Sequence, residues 1–302
     1  MDQKIFIGPA GWSYPDWKHA VYPTKLPRGV SELTYLSNYF NLVEVNSTFY
    51  RYVDETITKR WLCQVRGNES FRFTCKLHQN FTHQREAIDK SAIASVKSGF
   101  APLLREGRLL ALLLQFPWSF KNSAASREWL KRLFDEFNDF PLALEVRHKS
   151  WDHPSLLHFL TEHSVSFVNI DQPLIGDASL GFTTYTTGGL LYVRFHGRNA
   201  EHWFNQESGR NARYDYLYSK NELDSFIEEL SHLVKMGKTI VLVYNNHFRG
   251  QAVVNALQMK AELMRSKVPV PGRLVETYPQ LKSIASSTAA AEGTMEMFGE
   301  VS

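Results

Sequence analysis

Residues 191–197 read Leu-Tyr-Val-Arg-Phe-His-Gly. Leu191–Phe195 is a short apolar run of strand length, rich in aromatic and β-branched residues, as buried strands are. Side chains two apart on a strand share a face, so Tyr192, Arg194 and His196 point the same way. The run opens apolar and ends polar. Seven further runs have the same length, at Ile5–Gly8, Leu42–Val45, Phe71–Cys75, Leu110–Leu114, Leu142–Leu144, Ser166–Ile170 and Thr239–Tyr244. Several of them are followed at once by charged or amide side chains.

Between the runs lie helical patterns with apolar residues three and four apart, over Ser31–Phe40, Glu55–Arg66, Gln84–Gly99, Ala124–Phe137, Pro154–Glu162, Ser219–Met236 and Arg249–Ser266. Ser219 and Glu222 form a capping box, and Gly237 is the matching stop. Repeated strand–helix alternation implies parallel strands with crossover helices. Eight strands suit closure into a (β/α)8 barrel, which typically takes about 250 residues of a chain that here has 302. An open doubly wound sheet is the alternative, but no G-x-G-x-x-G follows the first strand. One helix is missing: Gln172–Gly189 is rich in Gly and Thr and lacks a helical period, so an irregular segment is expected between strands six and seven. A second long loop, Gly197–Tyr218, follows strand seven. The expected organisation is one barrel domain over residues 1–285 and a flexible tail over 286–302.

Composition narrows the class. Hydrophobic residues make up 43% and charged residues 22%, enough for a large core, and the net charge of +3 falls short of a nucleic-acid-binding excess. Cys63 and Cys75 read as reduced packing residues rather than a disulfide or metal pair. The start, MDQKIFIGPAGW, has no signal-peptide core. The longest apolar run, Leu109–Leu114, is far below the roughly 20 residues a membrane helix needs. A cytoplasmic protein without a membrane partner is expected.

Parity then places the polar residues. Glu44 and Asn46 share a face after strand two; Arg72, Thr74, Lys76 and His78 do so on strand three, Glu145 and Arg147 after strand five, and Asn169 and Asp171 at the end of strand six. Strand eight offers either Tyr244 and Asn246 or Asn245 and His247. Burying an unpaired ion costs several kcal/mol or more, so so many charges at one barrel end call for a polar mouth. In (β/α)8 enzymes that mouth is the active site. A blander account makes Glu44, Glu145, Arg147 and Arg194 ion pairs that merely close the barrel end. Trp12, Tyr14 and Trp17, Phe49, Tyr50 and Tyr52, Trp118, and Trp151 crowd the same rim. They serve either as stacking surfaces for a base or sugar or as packing for the rim loops.

The blocks GPAGWSYPDW, EVNSTFYR, ALEVRHKSW, YVRFHGR and YNNHFRGQAVVNA resemble, in order and spacing from Gly8 to about Ala285, the YecE-like domain-of-unknown-function family. The resemblance implies a (β/α)8-type barrel and no assigned reaction. It places Trp12, Tyr14, Trp17, Glu44, Asn46, Phe49, Tyr50, Glu145, Arg147, Trp151, Arg194, His196, Gly197, Asn245 and Asn246 at family motif positions. The first block departs from the commoner G-T-S-G-W, reading Gly8-Pro9-Ala10-Gly11-Trp12, so the two hydroxyls lost there are not essential ligands in this protein.

The leading functional expectation is an enzyme acting on an anionic, phosphorylated or nucleotide-like small molecule. Glu44, Glu145, His196 and Asn245 are the candidates for catalysis. Trp12, Tyr14, Trp17, Asn46, Phe49, Tyr50, Lys76, Arg147, Trp151, Asp171, Arg194 and Asn246 are those for binding. Arginine forks suit phosphate and carboxylate, and Glu or His suits proton transfer. A second expectation is a metal-dependent hydrolase or isomerase with Glu145, Asp171 and His196 as ligands, although no tight metal spacing appears. A third is non-catalytic nucleic-acid binding through the aromatics with Arg198, Arg210 and Arg213. A retaining glycosidase built on Glu44 and Glu145 ranks last, because Arg147 would keep a carboxyl ionised. The cofactor and the oligomeric state stay open. In the tail, Thr294–Phe298 resembles the short peptide with which bacterial proteins dock on the DNA sliding clamp, without its leading glutamine.

Overall fold

A computed structural model describes residues 5–176, 178–203, 209–234 and 238–286. Eight strands follow in chain order: β1 (Ile5–Pro9), β2 (Leu42–Val45), β3 (Arg72–Lys76), β4 (Leu109–Gln115), β5 (Leu142–Glu145), β6 (Ser166–Asp171), β7 (Leu190–Phe195) and β8 (Thr239–Tyr244). The helices are α1 (Trp17–Ala20), α2 (Glu32–Leu36), α3 (Glu55–Gln64), α4 (Lys90–Arg105), α5 (Ala124–Glu136), α6 (Pro154–Glu162), α7 (Gly209–Ala212), α8 (Lys220–Val234), α9 (Gln251–Met264) and α10 (Gly272–Thr277). All strand pairs are parallel, and the sheet runs β1-β8-β7-β6-β5-β4-β3-β2. This is a nearly closed (β/α)8 barrel of the TIM type. Among the described residues no helix lies between β6 and β7, as the Gly/Thr-rich composition of that segment predicts.

The seam between β1 and β2 is closed by contacts other than a ladder. Ala10 bridges Glu44, and Gly11 N–H donates to the Glu44 carbonyl at 2.8 Å. Lower down, Asn41 inserts its amide, accepting from Ile7 N–H at 3.0 Å and donating to the Ile5 carbonyl at 2.8 Å. Gly8 makes the approach feasible, since a Cβ there would lie 1.8 Å from the Leu42 carbonyl oxygen.

The barrel interior is filled by Phe6, Ala10, Leu42, Ala111, Leu113, Ala143, Val168, Ile170, Tyr192, Val241 and Val243. Two larger apolar layers pack the outer strand faces against the helices. Local signals explain several helix starts. Ser31, Asp54, Asp89 and Ser123 each accept a first-turn N–H of α2, α3, α4 and α5, and Ser219 and Glu222 form the expected capping box at α8. Gly237 and the tail beyond Ser286 lie outside the described residues.

Two sequence readings are corrected here. The helix expected over Gln84–Gly99 is α4, Lys90–Arg105. Asn80–Gln84 forms a π-helical turn ended by Arg85 in the left-handed region (φ 53°), and the helix starts afresh at Asp89. Gly99 lies inside α4 because the Val53 carbonyl occupies the place of a Cβ, which would sit 2.1 Å away. Cys75 is buried, but Cys63 faces solvent on α3 and is no packing residue.

Candidate active site at the carboxyl ends of the strands

The upper barrel has a buried floor of ionic pairs. Arg194, from β7, donates to Glu44 of β2 through Nε (2.9 Å) and Nη2 (2.5 Å), and to Glu145 of β5 through Nη1. Tyr192 donates its hydroxyl to Glu44 at 2.8 Å and lies 2.9 Å from the Thr74 hydroxyl. Arg147 covers Glu145 from above, with Nε and Nη2 at 2.9 and 2.7 Å from Oε1. Glu44, Glu145 and Arg194 have no exposed surface. Burial opposes charge on Glu145, but Arg194 and Arg147 hold its carboxyl well below the usual range. His196 is sealed in as well. Asn245 Nδ2 lies 3.0 Å from its Nδ1, and Glu145 Oε1, Arg147 Nη2 and Arg194 Nη1 each lie 3.4 Å from its Nε2. Burial, then Arg147, pushes His196 down to about 3, so it is neutral at pH 7.

Above this floor opens a cavity of about 310 Å³. Lys76 enters from the end of β3, with Nζ 2.8 Å from Gln115 Oε1 and 5.5 Å from the Phe49 ring centre. Burial, with Arg194 adding repulsion, pushes Lys76 down to about 7. Arg147 and Arg213 converge on one indole, their guanidinium carbons 5.9 and 5.8 Å from the Trp203 ring centre. Trp118 and Tyr50 supply further wall. His83 stands edge-on to Phe49 at 4.7 Å and is held down to about 4, by burial first and then by Lys76. Tyr14 stacks on His247 at 4.2 Å, and Tyr214 packs on the same imidazole at 4.7 Å. A second hollow of about 510 Å³ shares Tyr14, Asn46, Tyr50 and His247 with the first and adds Trp12 and Arg51. Among the described residues, no Asp or Glu lines either.

The structure thus brings Tyr14, Asn46, Phe49, Tyr50, Lys76, Arg147 and Asn245 into one cavity, with Trp12 in its neighbour. Glu44, Glu145 and Arg194 form the buried floor, with His196 sealed beside them, which is the end-closing arrangement of ion pairs. Four residues expected in the mouth are elsewhere. Asp171 faces outward, because the inner face of β6 is Val168 and Ile170. Its carboxylate takes Arg198 at 2.8–3.0 Å and the Tyr218 hydroxyl at 2.5 Å, and burial pushes its pKa up. Asn246 also faces outward, donating to the Tyr216 carbonyl and to Asn255. Of the two faces open on strand eight, Asn245 and His247 are the inner pair. Trp17 and Trp151 are buried rim packing, donating to the carbonyls of His247 and Phe120.

These positions dissolve the proposed metal set, since Asp171 stands on the other face of the sheet from Glu145 and His196. Among the described residues, no group of three His, Cys, Asp or Glu is placed to hold a metal ion. Arg198 pairs with Asp171 and Glu222 and is not part of the mouth. Sequence reading missed His83, Gln115, Trp203 and Tyr214. None belongs to a strand end with a clear parity except Gln115, the last residue of β4, whose alternation with Leu113 could have revealed it.

The family described as protein of unknown function DUF72 matches residues 6–279. The chain is 30% identical over 275 residues to the UPF0759 protein YunF of Bacillus subtilis, covering 84% of this chain and 93% of that one. It is 28% identical over 177 residues to the UPF0759 protein YecE of Escherichia coli K12, covering 55% and 59%. Among solved structures, a DUF72 family protein from Thermotoga maritima superposes with a TM-score of 0.76 at 34% identity, over 87% of this chain and all of that one. Another from Enterococcus faecalis has a TM-score of 0.76 at 27% identity, over 86% and 95%. No helix among the described residues is long and apolar enough to cross a membrane.

Proposed function

This chain belongs to the DUF72 family, and on that premise we propose that its barrel mouth is an active site for a small anionic substrate, phosphorylated or nucleotide-like, on which it works by acid–base chemistry. The charge of the lining carries this reading: Lys76, Arg147 and Arg213 face one cavity that holds no carboxylate among the described residues. Arg147 is already paired with Glu145, and Lys76 and Arg213 add positive charge to the recess, where a low-dielectric wall strengthens the attraction for an anion. Arg147 spends Nε and Nη2 on Glu145, which fixes the fork and leaves Nη1 for a ligand oxygen. Trp118, Tyr50 and the Tyr14–His247 stack offer faces to a base or sugar ring.

The acid–base roles pass from the sealed Glu44, Glu145 and His196 to groups that reach the cavity. Lys76, at about 7, sits where a proton donor and acceptor works best near neutral pH, and neutral His83 stands on the same wall. Asn245 and Asn46 suit orienting a hydroxyl. The test is a melting-temperature titration with inorganic phosphate. The wild type should rise, by the equivalent of about 2.7 kcal/mol at 100 times the dissociation constant. Arg147→Ala and Arg213→Ala should each weaken the rise. No rise in the wild type, or one that both variants keep in full, would refute an anion site here.

A further inference from the structure

We propose that Lys76 captures carbonyl groups: the mouth takes aldehydes or ketones that carry a phosphate or carboxylate, and Lys76 Nζ condenses with the carbonyl carbon to form an imine. The inference rests on the anion site proposed above and adds the chemistry done beside it.

The surroundings of Lys76 differ from those of the ion-paired lysines, and Lys260, also desolvated, donates to the Tyr39 carbonyl away from the mouth. Lys59, Lys97 and Lys220 each pair with a carboxylate, Glu55, Asp139 and Asp224, within 2.8–2.9 Å. Lys76 has instead a neutral amide, Gln115, and an aromatic face, Phe49. It is the one lysine lining the cavity among the described residues, and Arg147 and Arg213 line the same space. The charges facing it come from several strands: Arg194 and Arg147 oppose its protonation, whereas Glu44 and Glu145 favour it, and burial outweighs all of them. A lysine kept only as an anion clamp gains nothing from losing its charge. A desolvated amine beside other cations is a nucleophile, and the arginines are placed to hold the anionic end of the reactant.

The step balances without an added reagent. The Nζ lone pair forms a C–N bond as the carbonyl π bond opens, and a proton passes from nitrogen to oxygen to give the carbinolamine. The hydroxyl then departs with one proton as water, leaving the imine, which is protonated to the iminium. His83, neutral on the same wall and sharing the Phe49 ring with Lys76, is placed to relay those protons.

The experiment uses the full chain, glycolaldehyde phosphate as the probe and cyanoborohydride to reduce any iminium to a stable secondary amine, with peptide mapping by mass spectrometry. At pH 7 Lys76 should be modified roughly tenfold or more faster than the exposed lysines, whose amines are almost wholly protonated. Inorganic phosphate should slow the reaction at Lys76 alone. Glycolaldehyde without phosphate should show a smaller preference, as should the phosphorylated probe with Arg147→Ala. Lys76→Arg keeps the positive charge and should remove the fast adduct while retaining the phosphate-induced rise in melting temperature. Labelling of Lys76 no faster than that of the surface lysines would overturn the imine. If the wild-type phosphate response persisted in that case, the anion site would stand without it; if it too were absent, both would fall.

Discussion

The Arg194 guanidinium and the Glu44 carboxylate, 150 residues apart in sequence, meet in two hydrogen bonds of 2.9 and 2.5 Å with neither side chain exposed. Glu145 binds the remaining edge of the same guanidinium. One guanidinium therefore bridges carboxylates from β2 and β5, with Arg147 supplying the second positive charge on Glu145, and ties the two sides of the barrel across its axis. Arg194→Met leaves both without that cation, and breaking such a buried pair typically costs about 3–5 kcal/mol. Urea unfolding of Arg194→Met should show a loss of that order, and Glu44→Gln combined with it should cost less than the sum of the single changes. A loss below about 1 kcal/mol would mean that the carboxylates reach water, contrary to their burial.

Stability should fall on acidification from near-neutral pH. His196 is held at about 3 by burial, then by Arg147, whereas an unfolded imidazole titrates near 6.5. Between those values the unfolded chain binds the extra proton. The contribution is therefore complete above about 6.5 and declines as pH drops, with a slope approaching about 1.4 kcal/mol per unit. His83, partly solvated, adds a smaller effect of the same sign. Glu145, held down by its arginines against the cost of burial, adds a further decline as pH falls below its ordinary value of 4.5. In denaturant unfolding between pH 7 and 5, His196→Gln should flatten the profile; an unchanged slope would contradict the buried neutral imidazole.

Trp203 should matter to anion binding without touching the anion. Its indole lies against both Arg147 and Arg213, and a cation–π contact contributes about 0.5–2 kcal/mol according to its desolvation. Trp203→Ala should weaken the apparent phosphate affinity roughly several-fold, measured by calorimetry or by the melting shift. Equal affinity in the two proteins would show that the guanidinium groups are positioned by other contacts.

Asp171→Asn is the complementary control. Its carboxylate holds Arg198 and the Tyr218 hydroxyl on the outer side of the sheet. Loss of the charge-assisted bonds should lower stability by about 1.5–3 kcal/mol while leaving the phosphate-induced shift intact. Abolition of the shift would return Asp171 to the mouth.

Gly8→Ala tests the seam. The added methyl would meet the Leu42 carbonyl oxygen at 1.8 Å, so β1 must move off β2. A loss of about 1–3 kcal/mol or more follows from such overpacking. Hydrogen exchange should quicken at Ile7 N–H and Gly11 N–H, which close the seam through Asn41 and Glu44. Wild-type protection there would show that the two strands do not need this approach.

The strand count, the order of elements and the missing helix were all legible in the chain, because each depends on residues close in sequence: apolar runs of strand length, three- and four-residue helical spacing, and Gly and Thr where a helix should be. The sequence also determined that the polar residues gather at the carboxyl ends, since each run turns polar at its own end. Only closure of the barrel decided which parity faces inward. On β6 the polar set Asn169 and Asp171 faces out, because the irregular segment covering that strand presents backbone groups that an apolar helix would not. Asn169 accepts from Tyr185 N–H and donates to its carbonyl, at 2.8 and 2.9 Å. Closure alone also separated the buried ions from the reachable ones. Arg194 and Arg147 look alike as strand-end arginines, but Arg194 falls between carboxylates 150 and 49 residues away and is sealed, whereas Arg147 meets one of them and keeps an edge free for the cavity. Pairing across a barrel is a relation between distant strands, and periodicity along one strand carries no record of it.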